Sequence, residues 1–264
     1  MSFETIIIKE EKNFATLVLN RPEALNALTN TMLEEMKVAF NQVAENRNMR
    51  ALVITGNGRA FCSGADFSLI DYVMKMDTKG RIEKIRYYQD IYAAIEKLPV
   101  PVIAAINGYA LGGGLDMTLA CDIRIAAEGA KLGEQYVHAG VMPDLGGSQR
   151  LPRIIGLGKA KEMMFLGEPI SAEQAEKIGL VSKVFPASEF ESKTQEFAQR
   201  LASGPTVALG WMKKAMNEGF GFGRDILSGL ELEALGQSMC LQTEDALEAT
   251  AAFRGKRPPE FKGK

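Results

Sequence analysis

The sequence predicts an α/β fold, with a strand-rich N-terminal part built around a parallel sheet and a helical part after it. Three observations lead there. Short apolar runs at 51–56, 100–108 and 121–127 alternate with helical segments, the order that right-handed crossovers and parallel pairing favour. Beyond Gly146 the strand signal nearly vanishes, and helical periodicity broken by Gly and Pro replaces it. At 264 residues with 46% hydrophobic content, the chain can form one large core, alone or with a helical appendage, and a small stapled scaffold is excluded.

The elements follow in order. Residues 5–9 and 14–20 alternate with a period of two around Glu10, Glu11, Lys12 and Asn13, which predicts a β-hairpin. Next, Met32, Leu33, Met36, Phe40 and Val43 recur at helical spacing behind Thr29, a candidate N-cap. ALVITG at 51–56 is a buried-strand run, a charged helical stretch spans about 70–98, and VPVIAAING and CDIRIAA repeat the strand signal. Helices are predicted near 159–166, 171–179, 187–203, 206–218, 224–241 and 243–254, with VSKVF at 181–185 the only extended segment among them. FCSGAD and INGYALGGG end weakly similar units, which suggests a repeated ββα element.

Composition narrows the function. With 31 Lys+Arg against 33 Asp+Glu there is no basic field for nucleic acid. The cysteines Cys62, Cys121 and Cys240 are odd in number, with no CxxC, so neither a zinc knuckle nor a disulfide framework is expected and a reducing cytoplasm fits. MSFETIIIKEEKN lacks the pattern of an export signal, and no long apolar run predicts a membrane span. His138 is the single histidine, which excludes a multi-histidine metal centre or a two-histidine acid/base pair. No metal or separate cofactor is expected, and carboxylates, backbone dipoles or a thiol must carry any catalysis.

Two segments can carry chemistry. In INGYALGGG a strand runs into Gly112, Gly113 and Gly114 and then an apolar segment; such a turn lets a ligand approach free N–H groups at a helix N-terminus, or else serves packing alone. It contains neither a P-loop nor a GxGxxG pattern. FCSGAD follows another buried strand, and a Ser63 N–H could converge with one from the glycine turn on a developing oxyanion. Read alone, Ser63-Gly64 is equally an ordinary loop.

NRPEALNAL, FCSGAD, AAINGYALGGG, CDIRIAA, MPDLGGSQRLPRIIG, ISAEQAEKIGLVSKVFP and FRGKRPPEF, in this order and spacing, resemble the enoyl-CoA hydratase/isomerase (crotonase) family over essentially the whole chain. The resemblance implies a crotonase-like spiral of ββα units, residues 1–200 forming the core with the acyl-CoA site and 201–264 a helical C-terminal region that assembles trimers or dimers of trimers. It implies an acyl-CoA thioester as substrate, coenzyme A being part of that substrate. By the match, the N–H groups of Ser63 and Gly113 hold the thioester oxygen, and Ser63, Gly64, Ala65 and Asp66 line the ligand. Ala24, Leu25, Asn26, Ala27 and Phe67 would lie near coenzyme A, and Phe253 and Lys256 match positions that can reach a neighbouring subunit's ligand.

The chain departs from the family's hydratases at both of their glutamates. Asp116 stands at the first position and Tyr136 at the second, 20 residues later. A phenol titrating near pH 10 is a poor base, so efficient hydration of a 2-enoyl-CoA is not expected. Asp144 in MPDLGG matches an aspartate of family members that move double bonds, and with Asp116 it resembles two of the three carboxylates of dienoyl-CoA isomerases. Isomerisation needs one carboxylate to move a proton, whereas hydration also needs a placed water. Double-bond isomerisation by Asp144, helped by Asp116, is therefore the favoured reading. Hydration with the two aspartates replacing the glutamate pair, and a non-catalytic acyl-CoA-binding oligomer, stand as alternatives. Each acid also has a structural reading: Asp116 suits the first turn of a helix, and Asp144 suits the N-cap of the next. Glu134 is a lesser candidate that would share the facing of Tyr136 in an extended segment. Tyr136 would wall the acyl pocket or donate to an intermediate, while Cys62 and His138 read as packing and surface residues, and the five basic residues of 74–86 as a solvated face or a contact for coenzyme A phosphates.

Overall fold

The computed structural model describes residues 3–221 and 225–264. The predicted hairpin is present: β1 (Ile6–Glu10) runs antiparallel to β2 (Ala15–Leu19). Helix α1 (Asn30–Glu45) starts where Thr29 caps it, its hydroxyl accepting from the Met32 N–H at 3.1 Å, and it buries Met32, Leu33, Met36, Phe40 and Val43.

Three strand–strand–helix units follow, which accounts for the faint internal repeat. The first is β3 (Leu52–Gly56), β4 (Ala60–Cys62) and the helices α2 (Phe67–Met74) and α3 (Thr78–Lys97). The second is β5 (Val102–Ile106), β6 (Tyr109–Leu111) and α4 (Gly113–Ala120). The third is β7 (Ile123–Ala127), β8 (Lys131–Gly133), a 3-10 turn at 135–139 and α5 (Gly147–Ile155). After these come α6 (Leu157–Leu166), β9 (Ile170–Ser171), α7 (Ala172–Lys177), β10 (Lys183–Phe185), α8 (Phe190–Ala202), α9 (Thr206–Gly221), α10 (Ile226–Leu241) and α11 (Glu244–Arg254).

The first strand of each unit joins a six-stranded sheet, β1-β2-β3-β5-β7-β10, parallel apart from the hairpin. The second strand of each joins a smaller sheet, β4-β6-β8-β9, in which β4, β6 and β8 are parallel. Both faces of the larger sheet are covered, which is why its central strands are apolar throughout and do not alternate. One face packs Leu52, Ile54 and Ala104 with α1 and α3; the other packs Val53, Ile103 and Ile125 with Phe190, Ala198 and Ala202 of α8.

Three sequence expectations need correction. The charged stretch at 70–98 is two helices, because Asp77 accepts from the Gly80 N–H at 2.8 Å and begins a new helix there. VSKVF is not the only extended piece after Gly146, since Ile170 pairs with Leu132 in the small sheet. The helix expected from 159 is the second of two, α5 preceding it with Pro152 inside and Gly156 at the break. Position 224 of the helix expected at 224–241 lies outside the described residues. Among the described residues, no helix is long and apolar enough to cross a membrane.

The helical C-terminal part is tied to the core by a charge. Lys213 of α9, its side chain 6% exposed, donates to Ile95 O at 2.9 Å and Val100 O at 3.2 Å and pairs with Asp122 at 2.8 Å. Removing one member of a buried pair leaves the other charge uncompensated. Lys213→Ala is expected to lower the unfolding free energy by about 3 kcal/mol, read from urea denaturation; a loss within error of zero would show that the pair does not anchor α9.

Candidate active site

Parallel pairing brings the exits of β4, β6 and β8 side by side, with Cys62 opposite Ala110 and Leu111 opposite Gly133. Neighbouring strands lie about 4.8 Å apart, so the residues that follow them share one small region. At the β6 exit, Gly112 takes φ 50° and ψ −122°, a conformation open to glycine and strained for other residues, and its N–H donates to Gly133 O at 2.8 Å. Helix α4 then starts so close to β4 that a Cβ on Gly114 would stand 2.1 Å from Cys62 O. The first bond of that helix is Asp116 N–H to Gly112 O, and the Gly113 N–H has no acceptor among the described residues. Gly113 is therefore a free donor at a helix start, beside the Ser63-Gly64 turn: a Cβ on Gly64 would lie 3.7 Å from its nitrogen.

The second predicted donor is differently placed. The Ser63 N–H donates to Leu25 O at 3.1 Å, so it is engaged and not free. The 24–28 segment lies along this turn because Leu28 N–H donates to Gly64 O at 2.8 Å and Asp66 N–H to Leu28 O at 2.9 Å. Asn26, expected near coenzyme A, is buried and clamps the arrangement, its amide reaching Asn57 O at 2.9 Å and Ala60 O at 2.8 Å. Ala24, Leu25, Ser63, Gly64 and Ala65 are thus brought together, with Phe67 beside them and 85% exposed. The Asp66 carboxylate is spent on structure: it accepts from Ser68 and from Arg21 at 3.0 Å and caps α2, and these bonds hold it below the usual carboxylate range.

The acids lie on the other side of the glycine turn. Asp116, in the first turn of α4, is fully buried, and its Oδ2 accepts the Tyr136 hydroxyl at 2.6 Å. It caps no helix amide; burial raises it while the Tyr136 hydrogen bond opposes the rise. The Tyr136 hydroxyl donates to Asp116 Oδ2 and lies near Asp144. Asp144 is half-buried and raised by burial. It is not the N-cap of α5, a position that Gly146 takes. Its loop is fixed from behind: Gln89 donates to Asp144 O at 2.7 Å, and Arg150 donates to Leu145 O at 2.8 Å while holding Glu96 in a double hydrogen bond at 2.9 and 2.8 Å.

Glu134 is the residue that sequence reasoning undervalued. It is fully buried and reaches Asp116, whose charge adds to burial in pushing Glu134 above the carboxylate range. Strand alternation does not bring it there, since β8 ends at Gly133 and the chain enters the 3-10 turn at 135–139. Phe253 and Lys256 stand at the end of α11, which packs chiefly on α10, and Phe253 is 86% exposed. Cys62 is buried with its thiol pushed up to about 12, so it is inert packing. His138 meets Gly167 O at 3.2 Å.

Asp116, Glu134 and Asp144 all keep protons in the fold at pH values where the unfolded chain has lost them. Their contribution to stability is complete below about pH 4 and is lost as pH rises through the raised folded values. Urea denaturation should therefore give an unfolding free energy that falls between about pH 5 and about pH 10, and Asp144→Asn should make that fall shallower. A flat or rising wild-type profile would contradict the buried-acid assignment.

The comparisons with known proteins agree with this geometry. The enoyl-CoA hydratase/isomerase family model matches residues 9–264. The chain is 38% identical to a crotonyl-CoA hydratase from Syntrophomonas wolfei over 99% of both chains, and 37% identical to a short-chain-enoyl-CoA hydratase from Clostridium acetobutylicum over 98% of both. Its fold matches the crystal structure of an enoyl-CoA hydratase from Bacillus anthracis with a TM-score of 0.89 at 38% identity, covering 99% of this chain and 100% of that one. The fold is that of these hydratases, C-terminal helical region included. The chain belongs to the enoyl-CoA hydratase/isomerase family.

Proposed function

We propose that this member of the family shifts a carbon–carbon double bond in an unsaturated acyl-CoA, with Asp144 as the proton carrier. The observation that carries the reading is the availability of the acids. Asp116 is fully buried with its oxygens turned to Tyr136 and Glu134, whereas Asp144 is partly exposed. One usable carboxylate suffices to move a proton along an acyl chain.

The chemistry follows from the geometry. The thioester oxygen of a 3-enoyl-CoA accepts from the free Gly113 N–H, and from Ser63 N–H once the oxygen displaces Leu25 O from its 3.1 Å bond. Asp144 removes a proton from C2, and the electron pair delocalises into a dienolate stabilised by these donors. The same carboxyl returns the proton at C4, leaving the double bond between C2 and C3. Burial raises Asp144 toward the working pH, which makes the carboxylate a stronger base. Coenzyme A enters as part of the substrate along the 24–28 segment, and no further cofactor is needed. Exposed apolar residues on α10 and α11, among them Ile226, Leu227, Leu230 and Phe253, support self-association as a trimer or a dimer of trimers.

Hydration is the second reading, because the relatives reported above carry hydratase names. The two separate in one sample: trans-3-hexenoyl-CoA is mixed with the protein, the absorbance of the conjugated thioester is followed and the product mass is measured. A rise in absorbance at unchanged mass is expected. A product heavier by one water would replace isomerisation with hydration, and no turnover with any acyl-CoA would leave a binding protein. Asp144→Asn is expected to lower kcat by about 10²- to 10⁴-fold with the Kd for a saturated acyl-CoA nearly unchanged; retained turnover would remove Asp144 from the mechanism.

A further inference from the structure

Glu134 is the buried acid that the proposed chemistry leaves without a task. Its two carboxyl oxygens and Oδ1 of Asp116 meet no donor from any other described residue. The groups that might have served them are committed: Tyr92 of α3 donates to Gly113 O at 2.8 Å, and Arg150 of α5 is held by Glu96 and by Leu145 O. Tyr136 and Asp144 complete the titratable surroundings, and Tyr136 has a single hydroxyl proton, which goes to Asp116 Oδ2. Two ionised carboxylates buried in contact would repel each other with nothing to solvate them. One proton shared between these two facing carboxyls removes both penalties. A missing side chain makes the room: a Cβ on Gly147, at the start of α5, would stand 2.0 Å from Asp116 Oδ1 and 2.7 Å from Glu134 Oε1.

The geometry points to Glu134 as a proton-bearing positioning residue, whose carboxyl donates to Asp116 Oδ1 and keeps Asp116 an anion that captures the Tyr136 hydroxyl and leaves the Tyr136 oxygen as an acceptor for Asp144. Asp116 has an outside donor in the Tyr136 hydroxyl and Glu134 has none, so the anion is better placed on Asp116 and the proton on Glu134. An Asp144 that has taken a proton then meets an acceptor instead of a competing donor. Hydrogen bonding to the neutral acid holds its pKa up. The catalytic meaning of this arrangement rests on the proposed role of Asp144, whereas its protonation pattern does not.

The test is a carboxyl carbon-13 NMR titration of the full chain without substrate, in wild type, Glu134→Gln and Glu134→Met. In wild type the Glu134 carboxyl should show the chemical shift of a neutral acid at pH 7. Glutamine donates to Asp116 as the protonated acid does, so the Asp144 midpoint should stay in place in Glu134→Gln. In Glu134→Met, Asp116 takes up the proton itself and frees the Tyr136 hydroxyl to donate to Asp144, whose midpoint should fall by about one pH unit. An ionised Glu134 at pH 7 overturns the proposal. So does an Asp144 midpoint that moves equally in both variants or in neither. Should Glu134→Met fail to fold, the wild-type Glu134 signal and the glutamine variant still decide. Because the titration reads carboxyl groups without turnover, its failure is distinct from failure of the reaction assigned to Asp144, which the hexenoyl-CoA assay reports.

Discussion

The site depends on the side-by-side pairing of three very short parallel strands, β4, β6 and β8. Each is three residues long and releases the chain immediately afterwards, into Ser63, into Gly112-Gly113 and into Glu134. Strands so short contribute little stability of their own. They are held because each is the second strand of a unit whose first strand is locked in the six-stranded sheet. The contact between Gly114 and Cys62 O fixes the remaining degree of freedom, the distance between the glycine turn and the β4 exit. A side chain there would push α4 away, moving Gly113 from the Ser63 turn and Asp116 from Tyr136 together.

The same packing sets the charge state of the acids. Because α4 is pressed against the sheet, Asp116 has no access to water, and its charge is sustained by one phenol and one carboxyl. Asp144 escapes this fate because its loop lies outside α4, fastened through backbone oxygens by Gln89 and Arg150. The carboxylate is left clear while the peptide that carries it is rigid. Fixing the backbone of a base and leaving its side chain unspent is how a site keeps a group both positioned and reactive.

Much of this is legible in the chain. Period-two alternation gives the hairpin, and the apolar runs at 51–56, 100–108 and 121–127 give β3, β5 and β7, since strands covered on both faces have no polar residues to interrupt them. Motif order gives the family, and it gives Gly113, Asp116, Tyr136 and Asp144 as neighbours. The small sheet is not legible as such: three-residue strands carry no periodicity, and Ile170-Ser171 is two residues long. The occupation of Ser63 N–H by Leu25 O is equally hidden, because it depends on left-handed conformations at Leu25 and Asn26 with φ of 51° and 55°. Glu134 is undervalued for a related reason. The turn after β8 breaks the alternation that would place it, and only the tertiary approach of Gly147 reveals what it touches.

Replacing a carboxylate by a phenol at position 136 changes more than one acid's strength. Two carboxylates beside Asp144 would add charge to the pocket and hold a water between them, whereas Tyr136 adds none and has one proton to give. That proton goes to Asp116 Oδ2. With Glu134 sharing a second proton with Asp116, the four groups carry two fewer charges than four carboxylates would, since the phenol is neutral and one acid is protonated. A less charged pocket lowers the cost of a neutral, protonated Asp144, the state in which a carboxyl must dwell while a proton travels from one carbon to another. The absence of the glutamate pair and the proposed role of an aspartate as proton carrier are thus two sides of one electrostatic arrangement.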